Sequence, residues 1–153
     1  MAADASLIAW IDELVALFNR QSLDLPHGVF DRRTQFLLNG TPFDHMLGRP
    51  PGDPLVLMIA RGPAGYRFAM KALQHALPDA RVDCGEVEQG QDAGDDAWIV
   101  PLWLSGHLRG TGDGVEAVMR VLVVRDERGV VTRADLALDA GIVERLREAR
   151  LRE

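Results

Sequence analysis

The chain has 153 residues, 47% of them hydrophobic and 26% charged, the composition of a single soluble domain over residues 1–153 with enough apolar mass to bury a core. A net charge of −6 argues against nucleic acid as a partner, because gripping a phosphate backbone requires clustered cations. Cys84, the one cysteine, has no internal disulfide partner, and no apolar run approaches the ~20 residues that span a bilayer, so no membrane partner and a cytoplasmic address are expected.

The N-terminal stretch SLIAWIDELVALFNRQ sets Leu7, Ile8, Ile11, Leu14, Val15 and Phe18 on one stripe at helical spacing, with Asp12, Glu13 and Arg20 elsewhere. This predicts an amphipathic helix covering a core. SLDLPHGVFDRR is broken by Pro26 and Gly28 and reads as a turn or short helix. TQFLLNG then predicts a first strand ending near Asn39, where Asn-Gly signals a turn. TPFDHMLGRPPGD, with three prolines and two glycines, reads as loop, and its Asp44 and His45 as a solvated pair or as neighbours of an entrance. Asp53 before Pro54 has the form of a helix N-cap, so PLVLMIA reads as one or two helical turns.

GPAGYRFAMKALQHAL predicts a stronger helix, with Pro63 near its start and Pro78 ending it. From there the texture changes to strand runs: ARVDCGEVEQ, AWIVPLWLSGH, EAVMRVLVVRD and GVVTRADLAL. Cys84 reads as a small buried residue. The tail DAGIVERLREARL returns to helix with Asp139 as N-cap, and its alternating Arg and Glu fit ion pairs on a solvated face. Helices, one strand, helices, a meander and a closing helix define an α+β chain with helices on one face of a largely antiparallel sheet.

In WIVPLWL both alternate sets, Trp98, Val100, Leu102, Leu104 and Ile99, Pro101, Trp103, are apolar, and in AVMRVLVV only Arg120 interrupts. Helices cover one face, which leaves the other for a partner subunit, because the solvated face of an antiparallel sheet normally shows polar alternation. Pro101 inside the run marks a bulge or a position whose missing N–H faces no ladder partner.

GPAGYRFAMKALQHALPDARV, SGHLRG and RGVVTRADLALDAGIVERL, in that order between Gly62 and Leu146, resemble the SnoaL-like polyketide cyclases of the nuclear transport factor two-like superfamily. Departures are Ser105-Gly106 in place of the usual Gly-Thr and a longer Pro-rich segment before Asp53. The resemblance implies an α+β cone-shaped barrel, in which a curved, largely antiparallel sheet wraps a long helix around an apolar cavity, and a homodimer through the outer sheet face. It implies no cofactor, and functions ranging from cyclases, isomerases and hydrolases to binding modules, so the fold leaves function open.

In the polyketide cyclases an aspartate on the last strand acts as acid and base on the substrate. With Gly129 and Asp139 as anchors that position falls on Leu136, and Asp135 stands beside it. Alternation would turn Ala134, Leu136 and Leu138 toward the cavity and Arg133 and Asp135 outward, whereas a bulge would turn Asp135 inward as a catalytic acid. His107 has two readings as well: an acid or base at the cavity mouth, or a strand-end histidine bonded to nearby backbone. Leu104, Leu136 and Asn39 are candidate ligand contacts, Asn39 being equally a turn residue. Arg120 is either an anion or carbonyl anchor in the cavity or a charge on the dimer face paired with a carboxylate. No HExxH, Cys-x-x-Cys or paired-histidine spacing supports a metal site, and neither GPAG nor GTGDG fits a phosphate or dinucleotide loop. Two functions follow: an acid/base enzyme on a hydrophobic carbonyl compound or epoxide, or a noncatalytic module binding a small apolar molecule. Convergence of two ionisable groups inside the cavity would separate them.

Overall fold

The computed structural model describes residues 5–26, 28–42, 61–90 and 96–150. Asp44, His45, the Asp53 cap and the helical turns expected over 54–60 lie outside the described residues. Helix α1, Ala5–Asn19, buries Leu7, Ile11 and Phe18. Ile8, expected on the same stripe, is 42% exposed, because it sits a helical step of about 100° from Leu7, at the margin of the packed face.

Strand β1, Phe30–Leu38, turns into the short β2, Thr41–Pro42, with Leu38 opposite Thr41. The two turn residues, Asn39 (φ 51°) and Gly40 (φ 82°), take the left-handed conformations that a tight hairpin demands and that Asn-Gly adopts at least cost. Helix α2, Gly62–Ala76, carries Pro63 in its first turn, where the missing N–H costs nothing. Strands β3 (Arg81–Cys84), β4 (Glu88–Gln89), β5 (Asp96–His107), β6 (Gly114–Arg125) and β7 (Val131–Ala137) follow. Helix α3, Ala140–Arg150, closes the chain, with the Ile142 N–H donating to Asp139 Oδ2 at 3.1 Å in the expected cap.

The described strands form one sheet in the order β2-β1-β7-β6-β5-β3, with β4 also on the edge of β5. Only β1 and β7 run parallel among them. The centre is the β5–β6 hairpin, in unbroken register from Asp96↔Arg125 to His107↔Gly114. Pro101 causes no bulge there. Its carbonyl accepts from the Gly85 N–H, so its nitrogen faces the same edge, where the neighbouring strand passes from β3 to β4 and no ladder donor is needed.

The three described helices lie on one side of this curved, unclosed sheet. Leu7 and Ile11 of α1 pack with Trp98, Val100, Val123 and Val131. Tyr66, Ala69 and Leu73 of α2 pack with Phe36, Leu104 and Met119, and Val143 and Leu146 of α3 join the same cluster. The result is the expected α+β cone. Among the described residues no helix is long and apolar enough to cross a membrane.

Candidate functional site: an apolar cavity beneath two helices

Between α1, α2 and the concave face of the sheet lies a cavity of about 140 Å³. One wall is aromatic: Trp10 comes from α1, Phe30 and Phe36 from β1, and Tyr66 from α2. The rings contact one another, Phe30 edge-on to Trp10 with centroids 6.0 Å apart and stacked on Tyr66 at 5.8 Å. The opposite wall is aliphatic, with Val100 and Leu102 of β5, Val121 and Val123 of β6, and Ala134 and Leu136 of β7. Strand alternation selects these residues: Val100 pairs with Val121, Val121 with Leu136, and Val123 with Ala134, so their side chains share one face. Met70, Leu73 and Met119 separate this space from a smaller void reaching Leu138 and α3.

Among the described lining residues, only Trp10 and Tyr66 carry a side-chain nitrogen or oxygen. Tyr66 is 7% exposed, and burial alone pushes its phenol well above its ordinary value, so it stays protonated and can donate. The Trp10 Nε1 is buried with no hydrogen-bond partner among the described residues. By contrast, the Trp98 Nε1 donates to Asp96 Oδ1, and the other oxygen of Asp96 pairs with the buried Arg125 at 2.6 Å.

The residues singled out in the sequence are dispersed. Leu136 lines the cavity. Leu104, 1% exposed, belongs to the core beside it and is not part of the lining. Asp135 pairs with Leu122 and Leu37 and accepts from the Gly40 N–H at 3.0 Å, on the side of the sheet away from the cavity. The β6–β7 register does slip, between Val124 and Arg125, but upstream of Asp135, so Leu136 keeps the inward position. Arg120 is exposed opposite Pro101, on the outer face. Asn39 is a clamp: its Nδ2 donates to the Leu138 carbonyl at 2.8 Å and its Oδ1 accepts from the Leu138 N–H at 2.9 Å. Cys84, expected buried, is half-exposed at the edge; burial of its thiol and the nearby Asp12 charge raise its pKa, which keeps it in the less reactive protonated form.

His107 has an acidic partner that local sequence does not reveal. Its Nδ1 lies 2.6 Å from Asp79 Oδ2, and its backbone N–H donates to Asp79 Oδ1 at 2.7 Å. The β3–β5 register, Arg81↔Ser105, extended by two residues sets Asp79 opposite His107, which explains how residues 28 apart meet. The two side chains are 54% and 66% exposed and stand outside the cavity lining. The His107 side-chain hydrogen bond, then its backbone bond, holds the Asp79 carboxyl below the usual range. Sequence reasoning missed the aromatic wall and Tyr66, although Tyr66 falls in the GPAGYRF motif quoted above; read by period alone it is one more apolar helix position.

An incomplete cone of sheet closed by helices over an apolar cavity is the fold of the nuclear transport factor two-like proteins. No family model and no curated protein matches the chain. Among solved structures it is similar to TerC co-crystallized with polyporic acid, with 15% identity and a TM-score of 0.65, covering 92% of this chain and 97% of that one. It is also similar to a candidate SnoaL-like polyketide cyclase from Jannaschia sp. CCS1, with 12% identity, a TM-score of 0.60 and 94% of each chain. A third is SalBIII, an epoxide hydrolase/cyclase-like enzyme in pyran ring formation in the polyether salinomycin, with 14% identity, a TM-score of 0.61, and 92% and 96% covered. At such identities the likeness establishes the fold, and the site must be argued from its own residues.

Proposed function

We propose that this protein binds a small hydrophobic carbonyl-type molecule in the cavity between α1, α2 and the sheet, and works as a homodimer through the outer sheet face. The observation that carries the ligand reading is the lining: side chains from seven elements converge on one space and present carbon almost throughout. Such a space favours an apolar guest over water, because a water placed there would find few of the two to four polar partners it needs. The polar groups that do line it, Trp10 and Tyr66, are neutral donors suited to holding an acceptor oxygen rather than to abstracting a proton. The same fold in TerC was co-crystallized with polyporic acid, which supports small-molecule binding as a use of this architecture.

Calorimetric titration with styrene tests the reading. Wild type should bind one equivalent saturably, and Ala134→Phe, which extends a benzyl group from β7 into the space, should weaken binding by about tenfold or more, the scale of a filled site. No saturable binding by wild type, or equal binding by both proteins, would overturn it.

A further inference from the structure

The polar and apolar parts of the cavity are not scattered around its wall. Trp10, Phe30, Phe36 and Tyr66 form a continuous aromatic side, and the sheet opposite contributes branched and unbranched aliphatic groups. A flat guest gains most from such a slot, since a ring laid on aromatic faces or edges keeps its contact area and its quadrupole interactions together. The volume sets the scale. At about 140 Å³ the space is close to the ~150 Å³ of an apolar cavity that accommodates benzene, which is room for one ring and a short substituent.

Tyr66 supplies the chemical selection. It is buried on the inner side of α2, its ring is held by stacking on Phe30 and by contact with Phe36 at 6.0 Å, and burial keeps its phenol protonated. A ligand acceptor oxygen that reached it would meet a neutral donor in an apolar space, where a hydrogen bond is stronger than in water. We propose that the cavity selects a single-ring aryl carbonyl compound, its ring against Trp10, Phe30 and Phe36 and its carbonyl oxygen accepting from the Tyr66 hydroxyl. This rests on the cavity being the binding site, as proposed above, and adds to it the ligand class and the residue that reads it.

Three probes and two variants separate the claims. Acetophenone and α-methylstyrene have the same shape and differ in C=O against C=CH2; anthrone carries a carbonyl on three fused rings. In calorimetric titrations Tyr66→Phe, which deletes only the hydroxyl, should weaken acetophenone by roughly threefold to tenfold, the worth of one neutral hydrogen bond, and leave α-methylstyrene unchanged. Retained α-methylstyrene binding also shows that the variant is folded. Trp10→Phe should change both single-ring probes in parallel, and anthrone should bind wild type at least tenfold more weakly than acetophenone. If Tyr66→Phe shifts the two single-ring probes equally or not at all, if the selective loss follows Trp10 instead, or if anthrone binds as well as acetophenone, this inference falls while the cavity remains a binding site. If α-methylstyrene does not bind wild type, the binding-site reading falls and takes the inference with it.

Discussion

Two asparagine side chains do the work of short strands. Asn19, last residue of α1, donates from Nδ2 to the Val82 carbonyl and accepts the Val82 N–H at Oδ1, both at 2.8 Å, tying the helix end to β3. Asn39 makes the same paired contact with Leu138 and so joins the β1 hairpin to the segment leading into α3. Each amide presents a donor and an acceptor at the spacing of a peptide group, which satisfies backbone that the sheet has left unpaired. Asn39→Ala loses both bonds and puts at φ 51° a residue without the polar side chain that lets asparagine adopt the left-handed conformation, so destabilisation of about 2–3 kcal/mol is expected, about 1 kcal/mol for each bond and up to about 1 for the backbone. Asn39→Gly, which relieves only the backbone, should recover about 1 kcal/mol of this. Urea unfolding midpoints measured at constant m decide it, and an alanine variant as stable as wild type would mean that the clamp is replaced by solvent without loss. This level was the least legible from sequence. Asn-Gly marked the turn, but the partner of Asn39 lies 99 residues away, and that of His107 lies 28 residues away across a register that only the sheet defines.

At the scale of elements, period and punctuation carried most of the information. The strand runs became β3 to β7, and the Pro63 and Pro78 signals bracket α2. The cavity was less readable, because lining residues and core residues have the same apolar identity; Leu104 and Leu136 differ in role only through where the helices approach the sheet. That approach depends on Gly62. It enters α2 at φ +67°, and a β-carbon there would lie 2.9 Å from the Arg32 Cα and 3.2 Å from the Asp31 carbonyl oxygen, backbone atoms of β1 that cannot move aside like a side-chain tip. The placement of α2, and with it of Tyr66, Met70 and Leu73 in the cavity wall, is thus set partly by this one contact. Gly62→Ala is expected to cost about 2 kcal/mol or more, from left-handed strain together with overlap, and to displace α2 outward, carrying Tyr66 with it. Thermal unfolding and styrene titration together check this: a lowered midpoint accompanied by weakened binding is expected, whereas a variant with unchanged midpoint and affinity would show that α2 is positioned independently of β1.

For the whole molecule, the sequence feature that matters most is the double apolarity of β5 and β6. One face is consumed by the helices. On the other, Ile99 pairs with Leu122, Pro101 with Arg120 and Trp103 with Val118, and Trp103 and Val118 remain 51% and 52% exposed. Trp103 does not project freely. A β-carbon on Gly85 would come within 2.9 Å of its ring and 3.1 Å of Pro101, so the indole lies close over the strand edge and offers a broad apolar surface. Burying that surface against a second copy, as proposed above, would stabilise both, since aromatic groups dominate the energetics of such contacts. The charges favour a two-fold arrangement: Glu116, Val118 and Arg120 point the same way along β6, all exposed, and an axis passing near Val118 would set each Arg120 against the other copy's Glu116, the self-complementarity that an isologous interface requires. Trp103→Arg removes the largest apolar group of this face and adds a cation beside Asp83, its register partner on β3, a pair that would have to be desolvated in the interface, so it should dissociate the proposed dimer at micromolar concentration while leaving styrene binding unchanged, because the cavity lies on the opposite face of the sheet. Sedimentation equilibrium on wild type and variant reads the first expectation and calorimetry the second. A wild-type protein that sediments as a monomer at these concentrations would rule out this interface and return the exposed Trp103 and Val118 to the protein's own uncovered surface.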